Sequence, residues 1–169
     1  MSVPSRTITE APTRHSAPYP LACPLRHARE HGLPVIYAND NFGRWRSHHG
    51  EIVDAALAGR AGTPGWCNPS GPTTARISSS KHAIPFYETL LAYLLRSLGV
   101  SHLVLCGQVT EQCVLYSALD AHIRHLSVTV ARDAVAHIHQ HLADAALEMM
   151  EINMGARVAA ATEALPRAR

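Results

Sequence analysis

Lysine is nearly absent from this chain: Lys81 is its one lysine among 169 residues, and aromatic side chains make up only 5%. With so few rings, the core has to be built mainly from Ala, Leu, Val and Ile. Basic residues are scattered, Arg44 and Arg46 come nearest to a cluster, and the formal net charge is +2. That excludes the basic stripe or polybasic patch with which proteins grip nucleic acid or an anionic membrane surface. No run approaches 18 uninterrupted apolar residues, which excludes a helical membrane span of the usual kind. The four cysteines (Cys23, Cys67, Cys106 and Cys113) form no CxxC pair, and the first twenty residues hold no apolar stretch of an export signal. The expectation is a cytoplasmic protein with reduced thiols. What the chain does have is 47% hydrophobic against 17% charged residues, which excludes a disordered segment and suits one domain with a substantial core.

Residues 1–20 are rich in Pro, Ser and Thr and read as an irregular arm, with at most a short strand near Arg6–Glu10. Residues 21–169 read as a single domain. A short helix is expected over 21–31, and P-V-I-Y-A (34–38) reads as a buried strand running into an Asn39-Asp40-Asn41 loop. Residues 42–80, laced with Gly, Pro, Ser and Asn, read as a long functional loop carrying one helix near 51–57. Leu90, Leu91, Leu94, Leu95 and Leu98 recur at helical spacing before Gly99. A strand at 103–106, a helix at 111–125, a strand at 127–131, a helix at 142–154 and a last strand at 157–160 follow. On the helix after the glycine turn, Cys113, Tyr116, Leu119 and Ile123 recur on related faces. Strands that are continuously apolar and alternate with helices imply parallel pairing and a three-layer α/β fold. In such sheets the site lies beyond the carboxyl ends of the strands, which directs attention to Asn39-Asp40, 107–113 and Asp133.

The segment L-V-L-C-G-Q-V-T-E-Q-C-V (103–114) carries the clearest chemistry. A buried strand empties into a glycine turn, Thr110 is placed to cap the next helix, and Cys113 falls in that helix's first turn. Amide groups and the positive helix end favour a thiolate there and can serve an oxyanion when a thiolate attacks a carbonyl carbon. A packed helix cysteine is the alternative reading, and both stay open on the pattern alone. Cys106, inside the strand, reads as core.

The stretch G-Q-V-T-E-Q-C-V-L-Y-S-A-L-D-A (107–121), followed by R-D-A-V-A-H (132–137), resembles the nucleophile motif of isochorismatase-like cysteine hydrolases, relatives of nicotinamidase and N-carbamoylsarcosine amidase. P-V-I-Y-A-N-D-N-F-G-R-W (34–45) and F-Y-E-T-L-L-A-Y-L-L (86–95) resemble further parts of the same family. The resemblance implies a Rossmann-like fold with a mostly parallel, six-stranded sheet. It implies cleavage of a C–N bond by a Cys–Asp–Lys triad through a thioester. Cys113 would be the nucleophile, the backbone N–H groups of Val109 and Cys113 the oxyanion hole, and Gln108–Val109 a cis peptide. Asn39, Asp40, Trp45 and Gln108 would line the substrate pocket.

Two departures from that pattern stand out. Family members open with a hydrophobic strand ending in the catalytic aspartate, and no such strand is legible here; the carboxylate before Glu30 is Glu10, behind Arg6-Thr7-Ile8-Thr9. Lys81 is the one candidate for the lysine, yet it precedes Phe86 by five residues where the family spacing is six and Ser80 holds that place. The first strand therefore reads as absent or remodelled. Asp40 with His48 and His49 superficially fits a metal site, but adjacent histidines point apart and no third follows nearby; His137 and His141 likewise find no further ligand. No metal or cofactor is expected, and His122 and His125 read as surface residues. Three readings follow: a small-molecule C–N hydrolase, a non-catalytic binding or assembly protein, or a chain that completes its sheet from a partner. An open central edge would favour a homo-oligomer.

Overall fold

The computed structural model describes residues 2–6, 27–40, 74–79, 85–87 and 89–165. Six strands carry the architecture: β1 (Ser2–Arg6), β2 (Val35–Asp40), β3 (Thr74–Ser79), β4 (His102–Gln108), β5 (Ser127–Ala136) and β6 (Arg157–Ala159). They pair in the order β3-β2-β1-β4-β5-β6, and all five pairings are parallel. The helices are α1 (Leu91–Ser97), α2 (Leu115–Ile123), α3 (Gln140–Met154) and α4 (Ala161–Ala164). A π-helical turn, Thr110–Val114, leads into α2, and residues 27–30 are helical.

Side-chain alternation on β4 assigns the layers. Leu103 and Leu105 face α1, α2 and α3, packing with Leu91, Leu95, Val114, Ala118, Ala146 and Met150. Val104 and Cys106 face the opposite side, with Ala28, Val35, Ala131, Ala161, Ala164 and Leu165. A strand buried on both faces needs an unbroken apolar run, and Leu103–Gly107 supplies it. Small residues let the helices approach closely: α2 buries Ser117, Ala118 and Ala121, and α3 buries Ala143 and Ala146 beside Met150. Gly155, at φ 62°, ends α3 in the left-handed conformation, and the Ala156 N–H bonds the Met150 carbonyl at 2.9 Å.

β5 is longer than its β-branched segment suggests because it bulges. Leu105 lies opposite Val130, but Gly107 lies opposite Val135, so the register slips and Arg132 and Asp133 emerge exposed. Asp133, flagged as a site position, is used structurally: its Oδ1 accepts the Ala161 N–H at 2.6 Å at the start of α4. Ala161–Ala164 is thus a short packed helix, with Ala161, Ala164 and the following Leu165 buried.

Several expectations are corrected. The irregular-arm reading fails over Ser2–Arg6, which forms the strand between β2 and β4; the first strand is remodelled, present as S-V-P-S-R. Because the chain fills its own sheet centre, the argument for an oligomer from an open central edge no longer applies. Residues 74–79 are a strand inside what was read as a loop, for Thr74–Ser79 carries only scattered apolar residues and gains its order by pairing with β2. Asn39 and Asp40 belong to β2, paired with Ser78 and Ser79, and are not its following loop. Tyr116, Leu119 and Ile123 lie on the outer face of the 110–123 segment, which buries Cys113, Val114, Ser117, Ala118 and Ala121; the small residues pack because they permit close approach. No helix among the described residues is long and apolar enough to cross a membrane.

Candidate functional site

Strand order reverses between β1 and β4: β2 and β3 extend one way, β5 and β6 the other. At such a switch point the loops leave in opposite directions and open a crevice at the carboxyl ends of the strands. One register row runs along that edge, in which Ser78, Asn39, Arg6, Gln108 and Ala136 are successive partners on β3, β2, β1, β4 and β5. Asn39 and Gln108 are therefore two strand spacings apart, about 10 Å. Asp40 is one residue further along, at the end of β2.

Beyond Gln108 the chain turns sharply. Gly107 has φ 126°, which a side chain would resist, and the Gln108–Val109 peptide is cis, as the family resemblance implied. Val109 is extended, and its carbonyl accepts the N–H groups of Gln112 and Val114, each at 3.1 Å, closing the π turn. Cys113 sits in this turn with 1% of its surface exposed, and the Ser117 hydroxyl donates to the Cys113 carbonyl. Neither Cys113 nor Cys106 is in a disulfide. Cys106 is fully buried on the other face of β4, as its place in the strand suggests.

Two side chains that the sequence pattern did not single out for these roles hold the turn. Thr110 does not cap the helix; its Oγ1 donates to the Ala136 carbonyl at 2.8 Å and fastens the turn to the end of β5. Glu111 Oε1 accepts the N–H groups of Ile138 and His139, each at 2.9 Å, just before α3 begins. Its other oxygen, Oε2, is buried and has no hydrogen-bond partner among the described residues. A carboxylate at the amino end of a helix satisfies unpaired donors and opposes the positive end of the helix dipole. The signal was an acid two residues before the cysteine, legible only once residues 137–139 were known to lie beside it.

This bracing makes Glu111 a test of how rigidly the cysteine is held. Glu111→Ala is expected to lower unfolding free energy by about 1–3 kcal/mol, since hydrogen bonds to charged acceptors carry that much. It should also change the rate at which iodoacetamide alkylates Cys113. Glu111→Gln keeps an acceptor at Oε1 and should restore both properties. Equal stability of the Ala variant and the parent in urea titrations would refute the bracing role.

Of the other candidates, Lys81 and Trp45 lie outside the described residues, as do Glu10, His48 and His49. Asn39, Asp40, Gln108, Val109 and Cys113 are brought to one edge of the sheet. Among the described residues, no three His, Cys, Asp or Glu side chains are grouped so as to hold a metal ion. His137 precedes α3 while His141 is within it, so the two do not share one helical face.

Comparison with known proteins bears on the family and the fold. The family model described as Isochorismatase domain matches residues 6–163. An uncharacterized isochorismatase family protein of Bacillus subtilis (strain 168), YaaI, is 34% identical over 127 residues, covering 74% of this chain and 68% of that protein. Among solved structures, a nicotinamidase/pyrazinamidase of Bacillus subtilis superposes with a TM-score of 0.71 at 20% identity, covering 94% of this chain and 98% of the other. N-carbamoylsarcosine amidase of Thermoplasma acidophilum gives 0.65 at 24% identity, covering 96% and 97%. At those identities, the likeness to the two solved structures speaks for the fold.

Proposed function

Because the chain belongs to the isochorismatase family, we propose that it is a hydrolase that cleaves an amide-type C–N bond of a small molecule through a thioester on Cys113. The observation that carries this reading is the position of Cys113, in a braced turn at the carboxyl end of β4 and at the switch point of the sheet. In the first step the Cys113 sulfur attacks the substrate carbonyl carbon, forming a C–S bond. The carbonyl electron pair moves to oxygen, where the amides of Val109 and Cys113 stabilise it. Collapse breaks the C–N bond, and the nitrogen leaves with a proton. Water then attacks the thioester carbonyl, releasing the acid and returning the thiol. Lys81 stabilises charge beside the sulfur, and Asn39, Asp40, Trp45 and Gln108 contact the substrate. No metal or cofactor takes part in this scheme.

A second reading has its own observation. β1, Ser2–Arg6, contains no carboxylate where the resemblance implies the base, and the carboxylate nearest to Cys113 in sequence, Glu111, is engaged by backbone amides. A chain that keeps the fold to bind a small molecule without turning it over fits that pattern. The two separate in one experiment. The protein is incubated with a panel of small primary amides, ammonia release is followed, and the quenched enzyme is examined by mass spectrometry. Ammonia release with an acyl adduct on the peptide bearing Cys113 supports the hydrolase. Saturable binding of an amide with neither product favours the binding protein.

A further inference from the structure

The amino ends of the strands, opposite the Cys113 edge, hold a cavity of about 790 Å³. Its rim is assembled from the first residues of three adjacent strands, His102 of β4, Ser127 of β5 and Arg157 of β6. His122 of α2 and His125 just beyond it complete one wall, and Glu163 of α4 is the one acid among the described lining residues. Leu126, Met154 and Leu165 supply an apolar floor. β4 alone spans seven residues, which separates this cavity from the Cys113 turn by about 20 Å.

We propose that this cavity is a second binding site, and that it takes a small organic oxyanion: a phosphate- or carboxylate-type head on an apolar body. The donors argue for the head: the Arg157 guanidinium, the imidazoles of His102, His122 and His125 and the Ser127 hydroxyl line the cavity against the one carboxylate, Glu163, among its described lining residues. The shape argues for the body: the volume lies in the range that encloses metabolite-sized ligands and far exceeds an inorganic anion.

Two further details fit a ligand more readily than a solvated surface. Thr129, itself buried, places its Oγ1 3.0 Å from His102 Nε2 and so orients that ring. Burial, and after it the positive charges of the amino terminus and of Arg157, hold His102 below its ordinary pKa, so an anion opposite it would raise that pKa. His125 occupies a left-handed position, φ 58°, at the end of α2, where glycine is the usual choice. Retaining an imidazole there carries a conformational cost that its place on the cavity wall explains.

The test uses the whole protein and two probes, phenyl phosphate and inorganic sulfate, followed by the imidazole resonances in NMR. Phenyl phosphate is expected to shift the His102 and His122 signals saturably and to raise the His102 pKa. Inorganic sulfate should bind about tenfold more weakly, a factor that corresponds to 1.4 kcal/mol. Arg157→Ala should weaken binding at least about tenfold. His125→Gly should fold at least as well as the parent, since it relieves the left-handed backbone, and should also bind less tightly. Binding indifferent to both substitutions would overturn the site, and equal affinity for the two probes would overturn the apolar body. Alkylation of Cys113 by iodoacetamide should proceed equally in all these variants, so failure here leaves the hydrolase reading untouched and separately testable.

Discussion

Cys113→Ala should abolish ammonia release from every amide the parent protein hydrolyses, a loss of about 10⁴-fold or more, as expected when a covalent nucleophile is removed. The variant is expected to remain folded. Cys113 is 1% exposed and contributes one sulfur to its surroundings, so truncation leaves a small void in a turn still braced by Thr110, Glu111 and the Val109 carbonyl. Its thermal midpoint should shift by only a few degrees, in line with about 1 kcal/mol for a buried group of that size. The control is Cys106→Ala. Cys106 is equally buried but faces the opposite layer, so turnover should stay within a few-fold of the parent. Turnover that survives in the Cys113 variant, with ammonia still released, would rule out the thioester route. Parallel loss in both variants would point to a folding effect, which circular dichroism would reveal.

Removing the first six residues is expected to have the other large effect, on folding itself. Ser2–Arg6 pairs with β4 over its whole length and with β2 on its other side. Without it, both neighbours present unpaired amides and carbonyls at the middle of the sheet, where each unsatisfied buried group costs about 1–3 kcal/mol. A handful of such groups is comparable to the whole 5–15 kcal/mol by which a domain of ordinary stability is held. The shortened protein should lose its cooperative thermal transition and bind a hydrophobic dye. Retention of a sharp transition at an unchanged temperature would show that β2 and β4 do not depend on this strand.

That strand also shows what kind of information the residue pattern lacks. Ser2-Val3-Pro4-Ser5-Arg6 has neither the alternation nor the apolar run of a buried strand, and a proline, lacking its N–H, argues against a central position. Its order comes from two neighbours that both need a pairing partner. β3 is a similar case, since T-A-R-I-S-S owes its strand geometry to β2. On the segment 110–123 the recurring residues Cys113, Tyr116, Leu119 and Ile123 do not share one environment: Cys113 is buried and the three larger side chains are exposed, because close helix–sheet contact selects Ala118 and Ala121.

The local physics was sufficient elsewhere. Leu103–Cys106 had to be a buried strand and Gly107 had to allow a tight turn, while the family resemblance carried by the motif around Cys113 implied the cis peptide that follows Gln108. By itself, then, the sequence determined the α/β class, the family and the placement of the cysteine after its strand, because those depend on residues adjacent in the chain. Only the tertiary structure decided which segment occupies the sheet centre, which carboxylate braces the nucleophile turn, and that three histidines and an arginine share one cavity. Each of these joins residues far apart in the chain, and backbone pairing and helix packing, acting across the sheet, set which of them meet.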